Sequence, residues 1–425
     1  MEVKQCMKLM PKDEAFRVRV RAGAECRWGS PLADDVAERL EFEVSVIEGN
    51  SKVEYFTLCA EIADVIRDAG ALIGPGRGAC TASAVCYALG ITNLDPIRAG
   101  LVFDRFMRPN EERYLPILID TTSRGVVAFA KYMKEKGGKS VEAKKSGYAP
   151  DFYQIDGWNL AVSWSDAVEK LEISYELAEE SGIDLPLMED VDGANFGGAV
   201  FKSGDTKDID GFVSAAIRDE LRKMPEISYA DVRNLYALNM PGPITYLPQY
   251  VECRNHPECV RSRHPLLDSV LMRTSGVLVY QEQMLQIFRQ IAGFAREGAY
   301  RAYKAITRVR SETCAKMKER FVAGCLANPD FQVGEAKDEQ AAVKMAAEIW
   351  DDVCRVGRYT YMEAHAAAYA HLACVQAVVK AKCPDIWLYA VSKVEELRRD
   401  RERIAKAESA VTGKYRIQNG CSTID

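Results

Sequence analysis

Apolar and polar positions alternate with two different periods along this chain. Residues 36–70 carry helical apolar spacing in two blocks, broken at Gly49–Asn50. The run "ALI" at 71–73 predicts a short buried strand, followed by the loop Gly74-Pro75-Gly76-Arg77-Gly78. A small-residue helix is expected over 80–91, a strand over 114–120 ("YLPILID"), and a helix over 124–138 that stops at Gly137–Gly138. Farther along, Met284, Ile287, Phe288 and Ile291 fall at i, i+3, i+4 and i+7, the mark of one buried helical stripe. Small residues dominate a helix predicted at 363–382, and charges of both signs fill another at 395–406. The lysine-rich stretch 137–150 reads as a linker.

Composition narrows the class. An apolar fraction of 48% and a charged fraction of 28% fit an ordinary soluble globular protein. No apolar run is long enough for a membrane span, and the N-terminus has no apolar core of a signal peptide. Thirteen cysteines without a repeating spacing read as reduced thiols, which points to the cytoplasm. A net charge of -6 means that any nucleic-acid binding must come from a local concentration of basic residues. Residues 289–320 supply one, with nine Arg or Lys against three Glu. Arg301, Lys304, Arg308 and Arg310 in that stretch read as a track for the DNA phosphate backbone, the alternative being a solvated helix face.

Two constellations could carry chemistry. A glycine-rich turn between strand and helix exposes backbone N–H groups, so Gly74, Gly76, Arg77 and Gly78 form a candidate phosphate loop; a tight turn is the alternative. Cys253, His256, Cys259 and His264 have zinc-ligand types but match no known zinc spacing, and packing explains His264 equally well.

The wording of the loop region adds more. "GPGRGACTASAVCYALGITNLDPIRAGLVFDRFMRP" at 74–109 resembles the palm signature of the C-family bacterial replicative DNA polymerases, the alpha subunits of DNA polymerase III. Segments 235–250, 264–294 and 363–384 resemble the same family in the same order. The resemblance implies an α+β fold: a trimmed polymerase palm with a mixed β-sheet, then a mostly helical fingers-like domain. The corresponding division is a lead-in at 1–35, a palm-like domain at 36–230, a helical domain at 231–390, and a charged helix and tail at 391–425. The chain lacks the family's N-terminal phosphoesterase-like domain and its C-terminal portions by this reading.

The family reads P-D-x-D-x-D where this chain has Pro116-Ile117-Leu118-Ile119-Asp120-Thr121, which aligns the first two metal-binding aspartates with Ile117 and Ile119. Strand alternation then points Asp120 away from that face. The third metal aspartate aligns weakly with Asp156. A serine that the family carries after the glycine loop is kept as Ser83, which the resemblance adds to the phosphate loop, while an arginine of the family aligns with Met240 and a lysine that faces phosphate aligns with Glu363. The reading that follows is a degenerate, non-catalytic core that binds primer–template DNA or replication proteins without a cofactor or bound metal. The alternative is an active minimal polymerase using Mg²⁺ at a rebuilt site around Asp156 and Asp120.

Overall fold

The computed structural model describes residues 10–111, 117–141, 151–260, 263–308, 311–336 and 338–412. The fold is α+β, with many helices and one small mixed sheet. It divides into two compact units. One comprises residues 1–197, 208–210 and 367–425, the other 198–207 and 211–366.

In the first unit, helices Lys12–Trp28, Asp34–Gly49 and Val53–Asp68 precede the sheet, as the two apolar blocks predict for the latter pair. The strands are β1 (Leu118–Thr121), β2 (Lys139–Val141), β3 (Asp151–Ile155) and β4 (Trp158–Trp164), in spatial order β1-β4-β3-β2. β1 runs parallel to β4, and the other pairs are antiparallel. Helix Ser123–Glu135 follows β1 and buries Val126, Phe129 and Met133; the Phe129 ring meets Tyr153 of β3 edge-on at 5.2 Å. Around them Phe16, Tyr55, Phe56, Ile62, Ile117 and Ile119 build the core of this unit.

Local structure departs from the sequence expectation at three places. Within the stretch expected as a linker, residues 139–141 form the edge strand β2, while 142–150 lie outside the described residues. The expected strand at 71–73 is reduced to a single bridge between Ile73 and Thr121. The small-residue helix is a 3₁₀ turn, Gly78–Ala82, and a five-residue helix, Ala84–Ala88, because Ser83 interrupts it with extended backbone and caps the second piece.

The second unit is helical. Met284, Ile287, Phe288 and Ile291 are all fully buried along helix Gln281–Gln290 and its cap, as their spacing predicts. Phe288 packs on Phe321 and Trp350 at 6.0 and 5.6 Å between ring centres. Gln283 ties this helix to its approach: its Oε1 accepts from the amides of Val279 and Tyr280, and its Nε2 donates to Val270 O and Thr274 Oγ1. No described helix is long and apolar enough to cross a membrane.

A buried histidine gives the first unit a titratable weak point. His371 donates from Nε2 to the carbonyl of Met188 at 2.9 Å, and burial lowers its pKa from 6.5 to about 4. The folded state therefore binds this proton less readily than the unfolded chain. Its stabilisation is complete above pH 6.5 and lost as pH falls towards 4, a change of about 3 kcal/mol. Urea unfolding followed from pH 7 to pH 4 is expected to show that loss in the wild type and a shallower one in His371→Gln. Equal slopes would remove His371 as the cause.

Candidate functional site

The glycine loop leaves the bridge at Ile73 and is fastened to β1 at once, the Gly74 amide donating to the Asp120 carbonyl at 2.8 Å. Gly76 has a φ of +139°, and a Cβ there would lie 2.6 Å from Thr81 Oγ1, so both conformation and space demand glycine. Beyond the loop, the amides of Ala84 and Val85 at the start of the short helix donate to Glu43 at 3.0 and 3.1 Å. Ser83 donates to the same carboxylate at 2.7 Å and accepts from the Cys86 amide, while Arg39 pairs with Glu43 at 2.6 Å. Glu43 is fully buried, and burial pushes its pKa up against these partners. The donors that a phosphate would use at this helix start are thus held by a carboxylate of the chain itself.

Arg77 extends from the loop to the sheet. Its Nη1 donates to Asp120 Oδ1 at 3.1 Å and to Ser163 Oγ at 3.2 Å. The hydroxyl of Tyr369, on helix Glu363–Lys382, donates to Asp120 Oδ2 at 2.6 Å. Asp120 and Ser163 are direct partners in the parallel pairing of β1 and β4, which explains why one guanidinium reaches both. Asp120 is 4% exposed. Burial raises its pKa, while the Arg77 charge and the two hydrogen bonds oppose the rise.

The strand faces differ from the sequence reading. Ile117 and Ile119 point into the hydrophobic core, and Asp120 is the residue that faces the loop, with Leu118 two residues earlier on its side. Alternation had given the relation between these positions but not which set faced the core. Asp156 is exposed in the two-residue turn between β3 and β4, where Asp156 and Gly157 have φ of +49° and +82°. It occupies an Asp-Gly hairpin turn, whose backbone favours these residues. Ser163, the partner of Asp120, lies seven residues farther along β4. β4 begins at Trp158, so five strand steps of about 3.3 Å put Ser163, and with it Asp120, roughly 16 Å along the strand from the turn that holds Asp156.

Magnesium, which the resemblance implies, therefore finds a poor fit. Two divalent ions need several carboxylates. The loop-facing side of β1 presents Asp120 alone among the described residues, already bound by a guanidinium and a phenol. No described group of three or more His, Cys, Asp or Glu could hold a metal ion. At the sequence's zinc candidate, His264 accepts from the Leu266 amide at Nδ1, reaches the Phe331 carbonyl from Nε2 and stacks on the Phe331 ring.

Within the second unit, Glu363 is 3% exposed and pairs with Arg273, with Arg233 at 3.7 Å. The basic track is partly intact. Arg301 and Arg308 are exposed and form no ion pair among the described residues. Lys304 lies over the rings of Tyr300 and Tyr303, at 5.2 and 5.7 Å from their centres. Lys316 and Lys318 are paired with Glu312 and Asp351, and Arg310 falls outside the described residues.

Tyr369 and Glu43 escaped the sequence reading. Tyr369 is 249 residues from Asp120, beyond any spacing rule. Glu43 did leave a signal: it sits among Val36, Leu40, Val44 and Ile47 on the apolar stripe of its helix.

Comparison with known proteins agrees with the order of these segments. Residues 14–146 match the family model for the bacterial DNA polymerase III alpha NTPase domain, and residues 168–329 that for the bacterial DNA polymerase III alpha subunit finger domain. DNA polymerase III subunit alpha of Halalkalibacterium halodurans is 23% identical over 491 residues, covering 89% of this chain and 43% of that protein. The Staphylococcus aureus (strain COL) protein of the same name is 23% identical over 459 residues, covering 83% of this chain and 42% of its own length. The chain thus spans less than half the length of these relatives.

The Arg77–Asp120 pair generates a stability test. Removing one member of a buried pair leaves an uncompensated charge and costs ~3–5 kcal/mol, whereas removing both is far milder. Arg77→Met is expected to lower the urea unfolding free energy on that scale, and Arg77→Met with Asp120→Leu to recover most of it. Additive losses in the double variant would show that the two side chains do not interact.

Proposed function

We propose, from the premise that the chain belongs to the bacterial DNA polymerase III alpha family, that it serves DNA replication as a non-catalytic relative that binds the DNA backbone. The observation that carries this reading is the Arg77–Asp120–Tyr369 contact: the β1 carboxylate turned towards the glycine loop is already bound by the chain's own cation and phenol. Glu43 supports it, because its carboxylate takes the helix-start amides that a triphosphate would use. Glu363 supports it further, because an acid there pairs with Arg273 and lies near Arg233. The rival reading, an active minimal polymerase built on Asp156 and Asp120, needs those acids together, and they belong to opposite ends of the β-sheet.

Backbone binding rests on Arg301, Lys304 and Arg308, with Arg310 as a further candidate. Such contacts position nucleic acid without reading its sequence. Primer–template DNA is the expected ligand, replication proteins are the expected company, and a cytoplasmic location follows from that role.

A labelled primer–template tests both halves of the proposal. Binding is expected at low salt, with a log–log slope of about -3 to -4.5 for three to five phosphate contacts. Replacing Arg301, Lys304 and Arg308 together by alanine is expected to weaken binding and flatten the slope. No primer extension is expected with Mg²⁺ or Mn²⁺. Extension that disappears in Asp120→Ala would establish an active polymerase instead. Absence of DNA binding at low salt would move the protein to a role with protein partners alone.

A further inference from the structure

Most described cysteines are buried in the cores, but two partly exposed ones in the second unit face each other. Cys314 lies on helix Ser311–Ala327 and Cys354 on helix Glu339–Val356, and their Sγ atoms are 3.7 Å apart. That separation is sulfur–sulfur contact between residues 40 positions apart in the chain. Both are partly exposed, so a small reagent can reach them. Cys59, Cys80 and Cys86 also neighbour one another in the first unit, but all three are buried.

The surroundings of the pair are charged. Lys318, one turn beyond Cys314, forms an ion pair at 2.7 Å with Asp351, which lies just before Cys354 on the facing helix. Burial and the neighbouring Cys314 push Cys354 up to about 12, with Asp351 adding to the rise and Lys318 opposing it. Both thiols are partly exposed and in contact, so once Cys314 has attacked an oxidant, Cys354 stands beside it to resolve the mixed disulfide.

We propose that Cys314 and Cys354 are a reversible disulfide-forming pair that cross-links these two helices when the chain meets a low-molecular-weight disulfide such as glutathione disulfide. The Cys314 thiol loses its proton to solvent, and its thiolate attacks one sulfur of glutathione disulfide. That S–S bond breaks, a protein–glutathione mixed disulfide forms, and one glutathione leaves as thiolate. Cys354 then gives up its proton and attacks the Cys314 sulfur, expelling the second glutathione as thiolate. The two protons go to the two departing thiolates. Two protein thiols are oxidised and one glutathione disulfide is reduced to two glutathione molecules. The sulfurs must close from 3.7 Å to about 2.05 Å, which brings the facing helices under a covalent tie.

The test uses the full chain equilibrated with glutathione disulfide, quenched in acid, alkylated, digested and examined by mass spectrometry. The expected result is a linked Cys314–Cys354 peptide that carries no glutathione, and the return of both thiols with dithiothreitol. Cys354→Ser, its fold checked by circular dichroism, is expected to trap a mixed glutathione disulfide at Cys314. Recovery of Cys314 and Cys354 as free thiols, under conditions that glutathionylate the exposed Cys26 and Cys259, would overturn the proposal. An unmodified Cys314 in Cys354→Ser would overturn it equally.

Discussion

The contact between Arg77 and Asp120 organises the first unit. A guanidinium from a glycine loop, a carboxylate from β1, a hydroxyl from β4 and a phenol from helix Glu363–Lys382 meet around one buried charge. Each member arrives by a different constraint. Gly76 and Gly78 give the loop its conformation, parallel pairing brings Ser163 beside Asp120, and the return of the chain after residue 366 delivers Tyr369. A buried carboxylate is tolerated only with such partners. The partners that oppose the burial-driven rise of the Asp120 pKa also occupy the oxygens a metal ion would need.

The same self-sufficiency recurs at two more points. Glu43 satisfies the helix start beside the loop, and Glu363 pairs with Arg273 and lies near Arg233 in the second unit. In each case a group suited to phosphate or metal is paired within its own unit. The electrostatics favour a folded chain that holds these charges internally, while Arg301 and Arg308 stay exposed.

Much of this was legible in the sequence, for identifiable reasons. The stripe of Met284, Ile287, Phe288 and Ile291 is a long periodic signal, and such signals survive tertiary context. The family motifs foretold the α+β class. The orientation of β1 was not legible, because period-two alternation in a short, largely buried strand does not say which face meets the core. Asp156 was assigned to chemistry by weak alignment, although Asp-Gly between two apolar runs is a hairpin signal on local grounds. Ser83 was assigned to phosphate, although serine before a helical run is an N-cap signal. Tyr369 could not be assigned at all, since only the folded chain brings it to Asp120.

The central claim is that Arg77 and Tyr369, and not divalent cations, satisfy Asp120. Electron paramagnetic resonance of free Mn²⁺, titrated with the purified chain, tests it directly. The account predicts no stoichiometric Mn²⁺ site tighter than about 1 mM, a binding free energy of about 4 kcal/mol. A stoichiometric site of micromolar affinity that disappears in Asp120→Asn would contradict it.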